Sequence, residues 1–296
     1  MQQSDLEDRI VQTLTLVERR GYNLTYETLA QNLRGGSVST EMITSVISSL
    51  HSVETDGHFV ATKGHLFAQK CADREQRFQR LHHKYMAIAR DYSSTLLSWC
   101  PWILCMMVSG SLASGGIGNH DDIDFNIIVD NKRKFLTFVF GFLLGVQYSL
   151  RFGRMFSQSY FHFIPKVICL SLIWEHNQVF PFARQDDQIA YELLIAHVIY
   201  NPQWYGAMIK YNQWLNEFFP QIYEKYSLQN TLKIQSNQIS RSVVIDLCDS
   251  LARRLLFIAY KLVRFSRSHQ HQLQSRMDTA NRVKQPYSLF DIPSRH

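Results

Sequence analysis

The chain has 296 residues, of which 46% are hydrophobic and 19% are charged. This composition excludes an intrinsically disordered protein and predicts one sizeable core with a smaller module. The net charge is +6 and much of the basic excess follows Arg241, so the positive potential is local and phosphate is a candidate partner. The first residues, Met1 to Asp8, are polar and acidic and unlike a secretory leader, which favours a cytoplasmic location. The five cysteines form no CxxC pair, so we expect buried, reduced thiols.

Residues 1–70 are predicted to form three helices followed by a β-hairpin. The helical patterns cover 6–21, 25–33 and 40–53, and Asp56-Gly57 gives a tight-turn signal within 54–68. This order is typical of a winged-helix-like module. The third helical stretch contains no lysine or arginine, so we expect a docking or regulatory role and no tight binding of duplex DNA.

The rest of the chain divides into four parts. A basic helix is predicted to link the module to the next domain over 71–98. A core domain at 99–185 contains three buried-strand patterns, Ile103–Ser111, Asp121–Asp130 and Lys166–Trp174. Helical patterns fill 186–268, with stretches at Asp187–Tyr200, Tyr205–Tyr226 and 242–267, and the tail at 269–296 is polar and basic. We therefore expect an α+β protein with a C-terminal helical domain.

The most apolar segment is Phe135–Leu150. It has 16 residues and contains Gln147, whereas a membrane-spanning helix needs about 20 apolar residues. We expect a buried helix here and no membrane span. The alternative is a hydrophobic surface that docks on lipid or on another subunit.

The strongest chemical motif lies in the core domain. Gly110-Ser111 ends an apolar strand pattern and is followed, after ten residues, by Asp122-Ile123-Asp124-Phe125. Alternate side chains of a strand share a face, so the two carboxylates are expected to point together while the apolar residues pack inward. Two carboxylates on one face suit Mg²⁺. Gly110 allows close approach of the backbone to phosphate, and the Ser111 hydroxyl can bond phosphate oxygens.

These residues resemble the signature of the polymerase-β-type nucleotidyltransferase superfamily. Weaker similarities to an uncharacterised prokaryotic branch with an N-terminal winged-helix-like module lie in GSLASGG from Gly110, KVICLSL from Lys166, IAYELLIAH from Ile189 and YNQWLNEFFP from Tyr211. The resemblance implies a mixed-sheet nucleotidyltransferase core. It also implies Mg²⁺ or Mn²⁺ bound by Asp122 and Asp124, and a nucleoside triphosphate held by Gly110 and Ser111. Lys166, just before the third strand pattern, could also contact the triphosphate, and a solvated strand end is the alternative. The acceptor, which could be a small molecule, a protein or RNA, is not implied.

One position departs from that pattern. Active members of the superfamily have a third acidic residue on a later strand, where Ser171 stands in this chain. Glu175 is on the same face of the predicted strand, but about 13 Å further along it. Two hypotheses follow: an enzyme that transfers a nucleoside monophosphate to a hydroxyl-type acceptor, or a catalytically reduced protein that binds nucleotide or a protein partner.

Several other residues are weaker candidates. His120 could bind metal or phosphate but is more typical of a loop histidine, and Asp121 is expected to cap a turn. Asn212 and Trp214 are expected to pack the helical body, with base stacking as the alternative. A basic helical stripe is either a solvated face or a site for phosphate, polynucleotide or an acidic partner, and it comprises Arg253, Arg254, Lys261, Arg264 and Arg267.

Overall fold

The computed structural model describes residues 3–118, 121–156, 166–227 and 243–268. Its helices are α1 (Gln3–Glu18), α2 (Tyr26–Gln31), α3 (Thr40–Ile47), α4 (Ala68–Trp99), α5 (Gly110–Ala113), α6 (Lys134–Phe156), α7 (His176–Val179), α8 (Asp187–Ile195), α9 (Pro202–Tyr211), α10 (Leu215–Phe218), α11 (Gln221–Ser227) and α12 (Val243–Ser268). Its strands are β1 (Leu24–Thr25), β2 (Val53–Thr55), β3 (Phe59–Thr62), β4 (Ile103–Ser109), β5 (Ile123–Val129), β6 (Ile168–Glu175) and β7 (His197–Tyr200).

The first 62 residues form a small helical unit with an antiparallel sheet of order β1-β3-β2. The Thr25 and Ser39 hydroxyls accept bonds from the first-turn amides of α2 and α3, which fixes where both helices begin. At the predicted hairpin turn, the Asp56 carboxylate accepts bonds from the amides of His58 and Phe59. The predicted three helices and hairpin are therefore present, and α3 ends earlier than its apolar pattern suggested.

The second sheet has the strand order β6-β5-β4-β7 and is mixed. β5 runs parallel to β6, while β4 runs antiparallel to both β5 and β7. A parallel pair needs a long crossover, and α6 is the helix in that connection. The three predicted core strands are confirmed, and the chain has the expected α+β class.

The N-terminal unit packs on the C-terminal helices around a shared hydrophobic cluster. Fully buried members of this cluster include Ile10 and Leu29 on the N-terminal side and Tyr205 and Phe219 on the other. Polar contacts cross the same boundary: the amide of Gly35 donates to the Phe218 carbonyl at 2.7 Å. A second cluster lies between the mixed sheet, α4 and α6.

The helical prediction beyond residue 186 was wrong in part. Helix α8 ends before Ala196, whose ψ of 137° is extended. The β-branched Val198 and Ile199 follow in β7, which pairs with the edge of β4. The long helix predicted from Tyr205 to Tyr226 is broken near Asn212, whose side chain bonds the backbone of other segments, and at Pro220.

Helix α6 covers the predicted apolar segment. The stretch Lys134–Gly153 is long and apolar enough to cross a membrane, by length and composition only, and 28% of its most apolar window is buried. Leu144 and Tyr148 are buried against the sheet, whereas Phe142 and Leu143 are exposed. A helix is therefore present at the predicted segment, but the expectation that it is buried was wrong in part, because one apolar side is uncovered by the described residues.

Candidate functional site

The chain turns sharply at Gly110, between the end of β4 and the short helix α5. Gly110 has a φ of 64°, a left-handed conformation that favours glycine. A Cβ atom at this position would lie 2.1 Å from Oδ2 of Asp124, which is closer than nonbonded atoms can approach. Only glycine therefore lets this turn meet the carboxylate, and Ser111 is the next residue of the turn.

The two predicted acids meet at this turn. Asp124 lies in β5, opposite Ser109 of β4 and Cys169 of β6, and Asp122 immediately precedes the strand. One ligand atom each from Asp122, Asp124 and Cys169 lies within 4.8 Å of the others. The carboxylates suit a hard divalent cation such as Mg²⁺ or Mn²⁺, while the sulfur is a softer atom that sequence reasoning had assigned only to packing.

Ser171 touches the acid pair directly. Its hydroxyl donates a 2.5 Å hydrogen bond to Oδ1 of Asp124, at a point where the register of β5 and β6 shifts by one residue. Glu175 lies at the other end of β6, where its carboxylate accepts a 2.9 Å bond from the amide of Lys132. Glu175 does not line the site, so it does not replace the third acid.

Two basic side chains form ion pairs with acidic side chains at the site. Nζ of Lys166 lies 2.7 Å from Oδ2 of Asp122, so a metal ion would compete with this lysine for the carboxylate. Nη1 of Arg74, on α4, lies 3.4 Å from Oδ2 of Asp121. That same oxygen accepts a 2.7 Å bond from the amide of Gly118, so Asp121 holds the loop before β5 as expected.

These groups open into a cavity of about 360 Å³ whose far wall comes from other parts of the chain. Arg19 and Arg20 follow α1, and Gln188 and Glu192 lie on α8. Nη1 of Arg20 is 2.6 Å from Oε1 of Glu192, which joins the N-terminal unit to the helical body at the cavity. Sequence reasoning missed all four residues because no local pattern relates them to the Asp122 motif.

Four buried polar atoms at the cavity have no hydrogen-bond partner among the described residues. They are Nδ2 and Oδ1 of Asn126, Oε2 of Glu192 and the hydroxyl of Tyr22. Asn126 is 1% exposed and lies two residues beyond Asp124, on the same side of β5. Buried polar atoms in proteins are nearly always hydrogen-bonded, so these atoms are available to a ligand or to water.

Burial and the neighbouring charge of Asp122 raise the pKa of Asp124 to about 6, although Ser171 and Lys166 act in the opposite direction. Burial also raises the pKa of Cys169 to about 12, with a further rise from Asp124 and Asp122, so the sulfur is a protonated thiol at neutral pH. Without a cation the site therefore holds a carboxylate pair that resists full ionisation, and a bound divalent cation would relieve this repulsion.

The remaining predicted residues lie away from the cavity. Asn212 is buried and its amide donates to the carbonyls of Val179 and Met208, and Trp214 donates to it, which confirms the expected packing role. The guanidinium of Arg253 lies over the ring of Phe135, at 5.6 Å.

The expectation of buried thiols holds for Cys71, Cys100 and Cys105 but is wrong for Cys248, which is exposed. His120 and the tail at 269–296 lie outside the described residues, as do the side chains of Lys261, Arg264 and Arg267.

Comparisons of the chain with protein-family models, with curated proteins and with solved structures gave no match.

Proposed function

We propose that the protein is a Mg²⁺- or Mn²⁺-dependent nucleotidyltransferase that moves a nucleoside monophosphate from a nucleoside triphosphate to a hydroxyl-type acceptor. The observation that carries the proposal is the approach of the Gly110 turn to Asp124, since a Cβ atom there would lie 2.1 Å from the carboxylate. At such a turn, the backbone amides can bind phosphate while the neighbouring carboxylates bind the divalent cation that accompanies the phosphate.

Each residue of the site has a task in this reaction. Asp122 and Asp124 would hold the cation, which would neutralise charge on the triphosphate. The turn at Gly110 and Ser111 binds phosphate oxygens. Lys166, which pairs with Asp122 at 2.7 Å, would contact the phosphates once its carboxylate partner served as a metal ligand.

Transfer forms a bond between the acceptor oxygen and the α-phosphorus and breaks the bond from that phosphorus to the oxygen bridging it to the β-phosphorus, so pyrophosphate leaves. The acceptor hydroxyl must also lose its proton. Oε2 of Glu192, which lines the same cavity without a partner among the described residues, is the group proposed to take it. Glu192 would then accept the proton of the acceptor hydroxyl, a role that the resemblance assigns to a third acidic residue.

Features of the fold support the same proposal. The mixed sheet brings the turn after β4 and the start of β5 together, as expected of a nucleotidyltransferase core. The order α1-β1-α2-α3-β2-β3 with its antiparallel sheet supports a winged-helix-like N-terminal module. A cytoplasmic location, where nucleoside triphosphates and Mg²⁺ are supplied, fits this activity.

A second candidate is a catalytically reduced protein that binds nucleotide or a protein partner in a regulatory role. It is favoured by Ser171, whose hydroxyl bonds Asp124 where the third acid is expected, at 2.5 Å. Lys166 also occupies one oxygen of Asp122. In this case the site would bind a nucleotide without turnover.

The deciding experiment incubates the protein with each labelled nucleoside triphosphate, Mg²⁺ or Mn²⁺ and a cell extract. We expect labelled acceptor and released pyrophosphate with one of the nucleotides. The double variant Asp122→Asn and Asp124→Asn should abolish both signals while keeping the fold. Metal-dependent nucleotide binding by the wild type, without any product, would instead support the reduced protein. If the protein neither binds nucleotide nor forms product, the transferase and the nucleotide-binding form of the reduced protein are both refuted.

A further inference from the structure

One face of helix α12 packs against α6. Asp249 is buried and accepts a 2.7 Å bond from the amide of Leu136 in the first turn of α6. Asp246 forms an ion pair with Arg133, just before α6. Ala252, one turn further along α12, is also buried. This inner face fixes the side of α12 that points away from the protein.

The opposite face of α12 is apolar and exposed. Its side chains follow each other at intervals of three or four residues, so they form a continuous stripe along the helix. Each is between 55% and 67% exposed. This outer stripe consists of Val244, Leu247, Leu251, Leu255 and Ile258. Each such side chain exposes on the order of 100 Å², and patches of several hundred Å² on a soluble surface mark interaction sites.

The sequence that contains the outer stripe is basic. Arg254 is exposed and borders the stripe, one residue before Leu255. Residues 241–296 contain ten Lys and Arg but four Asp and Glu. This excess of six equals the net charge of the whole chain, so the other 240 residues are neutral together. The apolar stripe therefore lies in a strongly basic part of the sequence.

A second copy of the helix would match this surface poorly. The acidic residues of α12 are Asp246 and Asp249, and both are engaged on the inner face. No acidic residue follows them between 250 and 268. Two copies joined at the outer stripe would therefore bring arginines together with no acidic side chain on the outer face of α12 to neutralise them, which opposes association.

We propose that the outer stripe of α12 docks on an anionic lipid surface. An apolar helix face bordered by basic residues binds at the interface of acidic membranes, because apolar burial and headgroup attraction act together. Helix α6, on which α12 packs, adds the exposed apolar side chains of Phe142, Leu143 and Leu150. The protein is thus held at the membrane surface through its helical end, while the cavity at Asp124 belongs to another part of the fold.

The test uses the full chain and flotation with two kinds of vesicle. One is phosphatidylcholine alone, and the other is phosphatidylcholine mixed with phosphatidylserine. We expect binding to the mixed vesicles, at least tenfold weaker binding to the neutral ones, and loss of binding as salt is raised. Leu251→Glu with Leu255→Glu should abolish binding, and Arg254→Glu should weaken it several-fold.

The control variant is Met42→Glu. Met42 is an exposed apolar residue on α3, so it receives the same change on another surface and should bind like the wild type. Circular dichroism checks that all variants fold. The proposal fails if mixed vesicles do not bind the wild type, or bind the Leu251 and Leu255 variant equally well. A dimer that the same variant dissociates, without vesicle binding, would assign the stripe to a second copy. None of these readouts depends on nucleotidyl transfer.

Discussion

Gly110 lets the backbone turn after β4 lie against the carboxylate of Asp124. Substituting it tests both the steric fit to Asp124 and the need for a positive φ. Gly110→Ala places a methyl group where Oδ2 of Asp124 lies, besides forcing alanine to a φ of 64°. We expect a loss of about 1–3 kcal/mol in the free energy of unfolding and no metal-dependent nucleotide binding. Gly64→Ala is the matched control, because Gly64 has a φ of 85° with open space around its Cβ position. Equal loss of nucleotide binding in both variants would contradict the proposed geometry.

The protonation of Asp124 gives the site a pH dependence. Burial and Asp122 raise its pKa to about 6, and a protonated carboxyl group binds a cation poorly. Affinity for Mn²⁺, measured by titration calorimetry, should therefore fall as the pH drops through about 6. Asp122→Asn removes the neighbouring charge, so the pH at which the remaining affinity falls should move lower. A pH-independent affinity between 5 and 8 would show that Asp124 does not hold the metal.

The same shift predicts the stability of the metal-free protein. A carboxyl group whose pKa is raised on folding favours the folded state only while it is protonated. Its contribution is therefore present below the unfolded pKa and is lost as the pH rises through about 6. Asp124→Asn should stabilise the metal-free protein at pH 8 by up to about 3 kcal/mol and have little effect at pH 4. Urea unfolding at both pH values measures this difference.

Ser171→Asp distinguishes the two functional hypotheses. The new carboxylate would stand beside Asp124, which now accepts the serine hydroxyl bond, so the metal-free protein should lose stability through repulsion. A third oxygen ligand should tighten binding of the metal nucleotide and create or raise activity if the wild-type site is reduced. If the wild type already turns over, the change should impair it, because the site is adapted to two acids. Ser171→Asn is the uncharged control. Unchanged nucleotide binding in both variants would show that Ser171 does not occupy the position of the third acid.

At the scale of elements, the sequence predicted the parts that local patterns determine. The runs of β4, β5 and β6 are continuous apolar segments, and the spacing from Gly110 to Asp122 follows from the loop between two paired strands. The prediction of a helix at the edge strand β7 was wrong. His197–Tyr200 continues an apolar helical pattern, and only its pairing with β4 makes it a strand. The proximity of Cys169 to Asp124 depends on the register of a parallel pair, which no local pattern encodes.

Helix α3 leads to a prediction about nucleic acid. Its exposed side chains include Glu41, Thr44 and Ser45, and it carries no cation. We expect the full chain to bind duplex DNA only weakly and with strong salt dependence, through its basic end. Thr44→Glu with Ser45→Glu should leave that weak affinity unchanged. Nanomolar, sequence-selective binding that these substitutions abolish would show that α3 is a recognition helix after all.

At the scale of the whole molecule, the cavity depends on the contact between the N-terminal unit and the helical body. Arg20 comes from the first and Glu192 from the second, and both keep 20% side-chain exposure. No pattern in either segment predicted this pair, because residues 172 positions apart meet through tertiary packing alone. The proposed proton acceptor is thus positioned by a part of the chain that sequence reasoning treated as a separate docking module.

A double-mutant cycle at this pair separates its structural role from its chemical one. Arg20→Ala leaves the Glu192 charge partly buried, which should cost about 2 kcal/mol of unfolding free energy, less than for a fully buried pair. Glu192→Gln in the same chain should restore much of that stability, because no uncompensated charge remains. Transfer activity should behave differently. Glu192→Gln alone should lower the turnover rate at least a hundredfold with nucleotide binding retained, and the stabilised double variant should stay inactive. If activity instead returned together with stability, Glu192 would be a positioning residue and the acceptor proton would go elsewhere.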